Sequence, residues 1–389
     1  FAAMDVVLFY VFFELMLIPM YLLIGIWGGS NRLYATIKFF LYTFIGSLMM
    51  LIALLYTATL YMDLNGSWSF NVLDWYGMEI PAETQFWLFI GFAAAFAVKI
   101  PIFPLHTWLP DAHYEAPTAG SVQLAAVLLK FGPYGFLRFA MPVFPAAVYE
   151  LSTFFIVLAL IGIIYGGMVA MVQPQIKRLI AYSSVAHMGY IVLGLFALNI
   201  QGLYGSWIQM INHALVTGAL FLIVGMIYER THTQEISDYG GVAHTMPKFA
   251  VFLIFFSMAS IGLPGLNGFV GEVLAMIGAA KVNIWYGIIA AFGVLIAAIY
   301  MLWMVQRVVF GPLTKDLVKR LNDLTLREVI VIVPLVFWTI FLGVYPQPFF
   351  ERIEVSINHY IQLIKSQDPR FAKNETESTG LSKFLVWNL

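Results

Sequence analysis

Apolar residues run through this chain in long blocks, and the polar positions between the blocks mark where it turns. Following the charges divides it into ten stretches long enough to cross a bilayer, at about 20 residues each. They cover residues 4–27, 35–60, 85–103, 117–139, 147–172, 178–198, 203–228, 248–279, 284–309 and 329–347. No Asp, Glu, Lys or Arg occurs between Arg178 and Glu229, so that run must hold two crossings. The polar stretches 63–84, 229–247 and 311–328 read as extramembrane loops, and 351–389 as a polar tail that is partly an amphipathic helix. Two crossings are interrupted, the third by "KIPIFP" and the eighth by "GLPGLNGFVG". Proline removes a backbone donor and clashes with the preceding turn, while glycine permits unwinding. Unwound backbone is tolerated at membrane depth only where it is buried in protein or lines a cavity. The broken helices lie five crossings apart and so traverse in opposite directions, the pattern of an inverted-topology repeat with sites near the midplane. The expectation is an all-α polytopic membrane protein: residues 1–140 are the remainder of a first inverted repeat, 141–310 a second, and 311–389 the last crossing and tail.

Composition fixes the class. With 61% hydrophobic and 11% charged residues, the chain has too few polar side chains to cover a water-soluble surface. A net charge of −1 argues against a nucleic-acid partner. The absence of cysteine excludes disulfides, thiolate chemistry and cysteine-ligated iron–sulfur clusters in this chain. The sequence starts at Phe1 with no basic n-region or cleavage pattern, which reads as an incomplete N-terminus rather than a signal peptide. With ten crossings, one side collects Arg32, Lys38, Lys177, Arg178, Arg230, Lys248, Arg307, Lys315, Lys319, Arg320 and Arg327. The opposite inter-helix loops hold only Arg138 and Lys281. The positive-inside rule makes the richer side cytoplasmic, or its organellar equivalent, with Phe1 and the tail outside.

Four ionisable residues remain inside crossings: Glu14, Lys99, Lys130 and Glu272. Lys99 ends a run of 15 uncharged residues. A charge at a helix centre costs about 2.5–3.5 kcal/mol on insertion scales, so four cost about 10 kcal/mol or more unless paired or neutral. They are therefore expected to face protein or water, and one another; structural ion pairs or snorkelling side chains are the plainer alternative. His187 in "SSVAHMGY" and His213 in "MINHALVTGALF" extend the line, since imidazole titrates near neutral pH and can pass protons through its two nitrogens. Hydrogen-bonded packing histidines, or a bis-histidine haem, are the competing readings of that couple. The group His106, Asp111, His113 and Glu115 suggests either a metal site or, from its three neighbouring prolines, a cytoplasmic mouth. Gly162 and Gly166 read as close helix packing. "NET" at 374–376 matches a glycosylation sequon by chance.

The stretches "FELMLIPMYLLIGIWGG", "KIPIFPLHTWLPDAHYEAPTAGSVQLAAVLLK", "KRLIAYSSVAHMGY", "INHALVTGALF", "LPGLNGFVGE" and "YPQP" together resemble the antiporter-like membrane subunits of respiratory complex I, NADH–quinone oxidoreductase, relatives of Mrp-type Na⁺/H⁺ antiporters. The resemblance implies a fourteen-helix fold of which about four N-terminal helices are missing here. It gives Glu14 and Lys99 the role of a glutamate–lysine pair, Lys130 that of a bridging lysine, and His187 and His213 that of a polar axis. Glu272 becomes the terminal proton site, and glutamate there, where L and N types carry lysine, points to the M type. The implied activity is proton translocation in the bacterial inner membrane or its organellar equivalent. NADH, FMN, iron–sulfur clusters and quinone would then belong to partner subunits, and L-like and N-like membrane subunits would be neighbours along with lipid. A Na⁺/H⁺ antiporter subunit and the membrane subunit of a membrane-bound hydrogenase or ferredoxin-driven complex are the alternatives. Electrostatics has the necessary scale: moving one charge against about 200 mV costs about 4.6 kcal/mol. A change of about 3.4 pH units in proton affinity supplies that.

Overall fold

The computed structural model describes residues 1–367; the sequon at 374–376 lies outside them. Helices α1 (Val6–Leu15) and α2 (Leu17–Trp27) make the first crossing, with a step at Met16. Pro19 explains the step, because it lacks the N–H that would bond the Leu15 carbonyl and its ring crowds that carbonyl. Helix α3 (Arg32–Asn65) is the second crossing, and the loop after it carries α4 (Val72–Trp75). That loop is pinned to the start of the chain by Val6 N–H on Phe70 O at 2.8 Å and Val72 N–H on Met4 O at 2.9 Å.

The third crossing is made in two pieces, α5 (Ala82–Lys99) and α6 (Trp108–Glu115). Pro101 has no N–H to give the Ala97 carbonyl, so Ile102 N–H reaches back to it at 2.9 Å. The Val98 carbonyl thereby loses its helical donor and instead accepts the indole N–H of Trp108, at 2.9 Å. The fourth crossing is also irregular: α7 (Thr118–Ala126), a 3₁₀ turn over Leu128–Lys130, α8 (Phe131–Gly135) and a π turn over Phe136–Ala140. Pro133 withholds a donor there, and Gly132 lets this backbone press on the broken third crossing. A Cβ at Gly132 would stand 2.4 Å from Ile100 Cγ1 and 2.8 Å from Phe96 O.

Three unbroken helices follow: α9 (Pro145–Met171), α10 (Ile176–Phe196) and α11 (Ile200–Thr231). The eighth crossing divides into α12 (Pro247–Ile261) and α13 (Asn267–Val282). Gly262 closes α12 at φ +82°, a left-handed conformation that suits glycine. Helix α14 (Ile284–Val308), the short α15 (Asp316–Lys319), α16 (Leu326–Val344) and α17 (Gln347–Gln367) complete the chain. Helix α17 covers the start of the polar tail and lies against α9 and α11. Among the described residues seven of the ten expected crossings are helices long and apolar enough to span a membrane, and the third, fourth and eighth are helices in pieces; two more crossings are interrupted than the sequence suggested, at Met16 and around Lys130.

Helix α10 stands at the centre, with 94% of its apolar window buried, and α11 follows at 78%; α1–α2 and α16 fall to 28% and 22% at the rim. Helices α9 and α13 pack closest on this central pair. Gly166 serves that packing as expected, its missing Cβ pointing at Ala186 N 3.0 Å away. Gly162 does not: a Cβ there meets nothing within 4 Å. It borders a small apolar cavity beside Pro101 and Phe103 instead.

Candidate functional site: a buried row of ionisable side chains

Lys99 is the last residue of α5, placed at depth by the helix that Pro101 ends. Its side chain is 1% exposed, and its ammonium lies 4.9 Å from the centre of the Phe13 ring and 5.8 Å from that of Phe39. Cation–π attraction offsets part of its lost hydration, but Nζ has no hydrogen-bond partner. The charge acting on it is that of Glu14, half-buried in α1 two residues before the step at Met16. Glu14 Oε1 also lacks a hydrogen-bond partner. The two residues face each other electrostatically but form no contact ion pair.

The 3₁₀ turn aims Lys130 into the bundle. Its Nζ donates to the Ala125 carbonyl, released by the same irregularity, and lies 2.6 Å from His213 Nδ1 of α11. The His213 ring stands 5.9 Å, centre to centre, from that of His187 in α10. His187 Nδ1 shares a hydrogen bond of 2.7 Å with Glu272 Oε1, and His187 Nε2 another of 3.1 Å with the Ser260 hydroxyl. Glu272 Oε1 also accepts from Gln209 Nε2 at 3.1 Å. Lys130, His213, His187 and Glu272 are all buried, at 6% exposure or less. Four elements thus bring four titratable groups into one line through the centre of the bundle. Both ring nitrogens of His187 are already hydrogen-bonded, Nδ1 to Glu272 and Nε2 to Ser260, which leaves neither free for a haem iron.

Sequence reasoning missed the side chains that fix this line. Gln209 and Asn212 occupy the α11 face that also carries His213, at the i, i+3, i+4 spacing of one helix stripe. Asn212 Nδ2 donates to the Asn267 carbonyl at 2.7 Å, so α11 holds the start of α13 as well as its carboxylate. These residues, with Ser260 and Thr217, line a small cavity that the imidazoles and Glu272 also border. The pattern "QMINH" in an otherwise apolar helix was the available signal. Lys177, counted among loop charges, is 8% exposed, and its Nζ donates to the Ala116 carbonyl.

The group around residue 111 does not converge. Asp111 pairs with Lys38 at 2.8 Å and Arg178 at 3.4 Å, and Glu115 Oε2 accepts the Asn31 N–H at 3.0 Å. His106 stacks on Phe103, and His113 on Phe221 at 4.4 Å. Among the described residues no group of three or more His, Asp or Glu is placed to hold a metal ion, so the metal reading of that group is dropped. His113 turns inward, fully buried between the charges of Lys177 and Lys130, with neither ring nitrogen hydrogen-bonded.

Comparison with known proteins agrees with this architecture. Residues 3–337 match the family described as NADH:quinone oxidoreductase/Mrp antiporter, TM. Subunit M of NADH-quinone oxidoreductase from Rhodobacter capsulatus is 50% identical over 371 residues, which cover 93% of this chain and 72% of that one. Chain 4 of NADH-ubiquinone oxidoreductase from Arabidopsis thaliana is 45% identical over 363 residues, with the same coverage. A chain in the structure of respiratory complex I from Thermus thermophilus superposes with a TM-score of 0.86 at 36% identity, covering 93% of this chain and 76% of its own length. The Mrp complex from Dietzia sp. shares the fold, with a TM-score of 0.77 at 20% identity over 95% of this chain and 75% of that one. The chain belongs to the antiporter-like family of membrane subunits found in NADH:quinone oxidoreductase and Mrp antiporters.

Proposed function

We propose that this chain is the M-type proton-translocating membrane subunit of an NADH:quinone oxidoreductase, and that Glu14, Lys99, Lys130, His213, His187 and Glu272 carry the protons. The observation that carries this reading is the buried succession Lys130–His213–His187–Glu272, with contacts of 2.6 and 2.7 Å at its ends and 5.9 Å between the rings at its middle. The 2.6 and 2.7 Å contacts can hand on a proton with little movement of heavy atoms, while the two imidazoles, which do not hydrogen-bond each other, need a water or ring motion between them. A line of this kind is expensive to bury for structure alone.

The open Glu14–Lys99 couple supplies the switch. A carboxylate brought close stabilises the ammonium, and its withdrawal favours release of the proton toward Lys130. Lys99 and Lys130 are not in hydrogen-bond contact, so that step needs hydration or side-chain motion. Redox chemistry falls to partner subunits, which hold FMN and the iron–sulfur clusters and handle NADH and quinone; this chain is the transport limb. The two inverted repeats, residues 1–140 and 141–310, divide the line, with Lys130 at the end of the first.

The test uses the whole complex in sealed vesicles. K99A and E14A should each lower NADH-driven proton uptake about fivefold or more, the size of a typical inter-site coupling, with coupled turnover falling in parallel. Unchanged uptake in both variants removes the reading. Sodium-dependent proton exchange in the same vesicles without NADH would favour the antiporter alternative.

A further inference from the structure

The geometry points to His187 as the conjugate partner of Glu272: an acid–base pair that clasps both halves of the broken eighth crossing and is the second repeat's counterpart of Glu14 and Lys99. This rests on the proton-translocating reading above and assigns His187 more than a place in a relay. The inference begins with position. Glu14 lies on the first crossing and Lys99 on the third, next to that crossing's break; His187 lies on the sixth and Glu272 on the eighth, one turn past its break. Each couple therefore spans elements two crossings apart, and the two couples are offset by five crossings. The chemistry is exchanged between the elements, acid then base in the first repeat and base then acid in the second.

The contacts add a second line. His187 bonds Ser260, the penultimate residue of α12, through Nε2 and Glu272 of α13 through Nδ1. One imidazole thus ties together the two half-helices that Gly262 and Pro264 separate. A serine hydroxyl can donate or accept, so Nε2 keeps its bond whether or not it carries hydrogen. When Glu272 is ionised and the imidazole doubly protonated, Nδ1–H donates to Oε1 and Nε2–H to the Ser260 hydroxyl; when the Nδ1 proton passes to Oε1, the new O–H donates back to Nδ1 and Nε2–H stays on Ser260. The proton crosses 2.7 Å between Oε1 and Nδ1, and both states keep the Oε1···Nδ1 and Nε2···Ser260 bonds. The first couple differs: neither Lys99 Nζ nor Glu14 Oε1 has a hydrogen-bond partner. The same device is therefore seen open in one repeat and closed in the other.

Exchanging the chemistry tests the assignment. H187E/E272K places acid on the sixth crossing and base on the eighth, as the first repeat has them, and Gln209 can present its amide oxygen to the new ammonium. H187E alone sets two carboxylates side by side and should lower NADH-driven proton uptake by the assembled complex about tenfold. The double variant should recover several-fold over H187E, a coupling read from the double-mutant cycle. No recovery in an assembled complex overturns the pairing. H187Q offers a second measurement, because glutamine can still bond Ser260 and Glu272 but cannot be protonated. It should assemble normally and lose uptake; wild-type uptake in H187Q would make His187 a structural clasp only and overturn the proposal. Normal uptake in H187Q with loss in K99A would take His187 out of the proton-carrying row and leave translocation through the Glu14–Lys99 couple standing, whereas normal uptake in K99A and E14A would remove the reading beneath both.

Discussion

A carboxylate inside a helix bundle is held by what it can accept, and Glu272 accepts from two side chains through one oxygen, Oε1. Replacing it by alanine strands His187 Nδ1 and Gln209 Nε2 in a buried site, and each unmet group costs about 1–3 kcal/mol. Lysine at 272 would keep a titratable, hydrogen-bonding group against His187 Nδ1. E272A should therefore cut NADH-driven proton uptake about fivefold or more, and E272K should retain clearly more. Equal loss in both assembled variants contradicts a role as an interchangeable proton site. Glu14, Lys99, Lys130 and Glu272 were legible in the sequence because a charge in an apolar run has no cheap explanation. Gln209, Asn212 and Ser260 were not, since uncharged polar side chains also serve helix packing and only three dimensions show which ones meet. Nor did sequence show that Glu14 and Lys99 stand apart without contact while His187 and Glu272 touch. Distance between crossings leaves no trace in a linear pattern.

At the scale of the element, irregular helices place every member of the row except the two histidines. Lys99 ends a helix that Pro101 stops, Lys130 sits in a 3₁₀ turn, Glu272 follows a glycine–proline break, and Glu14 precedes the step caused by Pro19. The two breaks with paired glycines or prolines could be read from the sequence. The other two rest on single prolines, Pro19 and Pro133, in otherwise good crossings, and single prolines are common in membrane helices because neighbours can re-satisfy the backbone. Trp108 is such a neighbour. Its indole N–H closes the Val98 carbonyl from beyond the break, and the ring is 1% exposed. W108F keeps most of the ring volume and removes the donor, leaving a buried carbonyl unmet. It should destabilise the subunit by about 1–3 kcal/mol, read as a lower unfolding temperature of the purified complex. The same variant should weaken proton uptake, because the carbonyl it frees is one residue from Lys99. An unchanged unfolding temperature would show that the capped carbonyl does not matter to the break.

For the whole molecule, the arrangement of loops tests the number of crossings independently of hydropathy. Arg230 at the end of α11 grips Glu328 in the first turn of α16 with bonds of 2.7 and 2.8 Å, and Asp323 accepts the N–H groups of Lys248 and Phe249 at the start of α12. The loops 229–247 and 311–328 must then share one face, which requires an even number of crossings between them; the eighth and ninth supply it. The loop 63–84 is tied instead to the start of the chain, and the first and second crossings lie between them. Parity puts these two loop sets on opposite sides, and the Lys/Arg asymmetry decides which side is cytoplasmic. Because the chain contains no cysteine, single thiols report directly on that assignment. Ser237 and Ser67 are both exposed, one in each set of loops. With a membrane-impermeant thiol reagent and sealed right-side-out vesicles, S67C should be labelled at once and S237C only after permeabilisation, read on this subunit alone. Inside-out vesicles should reverse the order. Labelling of both thiols from one side would break the parity on which ten crossings, the five-crossing offset of the repeats, and the opposition of the two acid–base couples all depend.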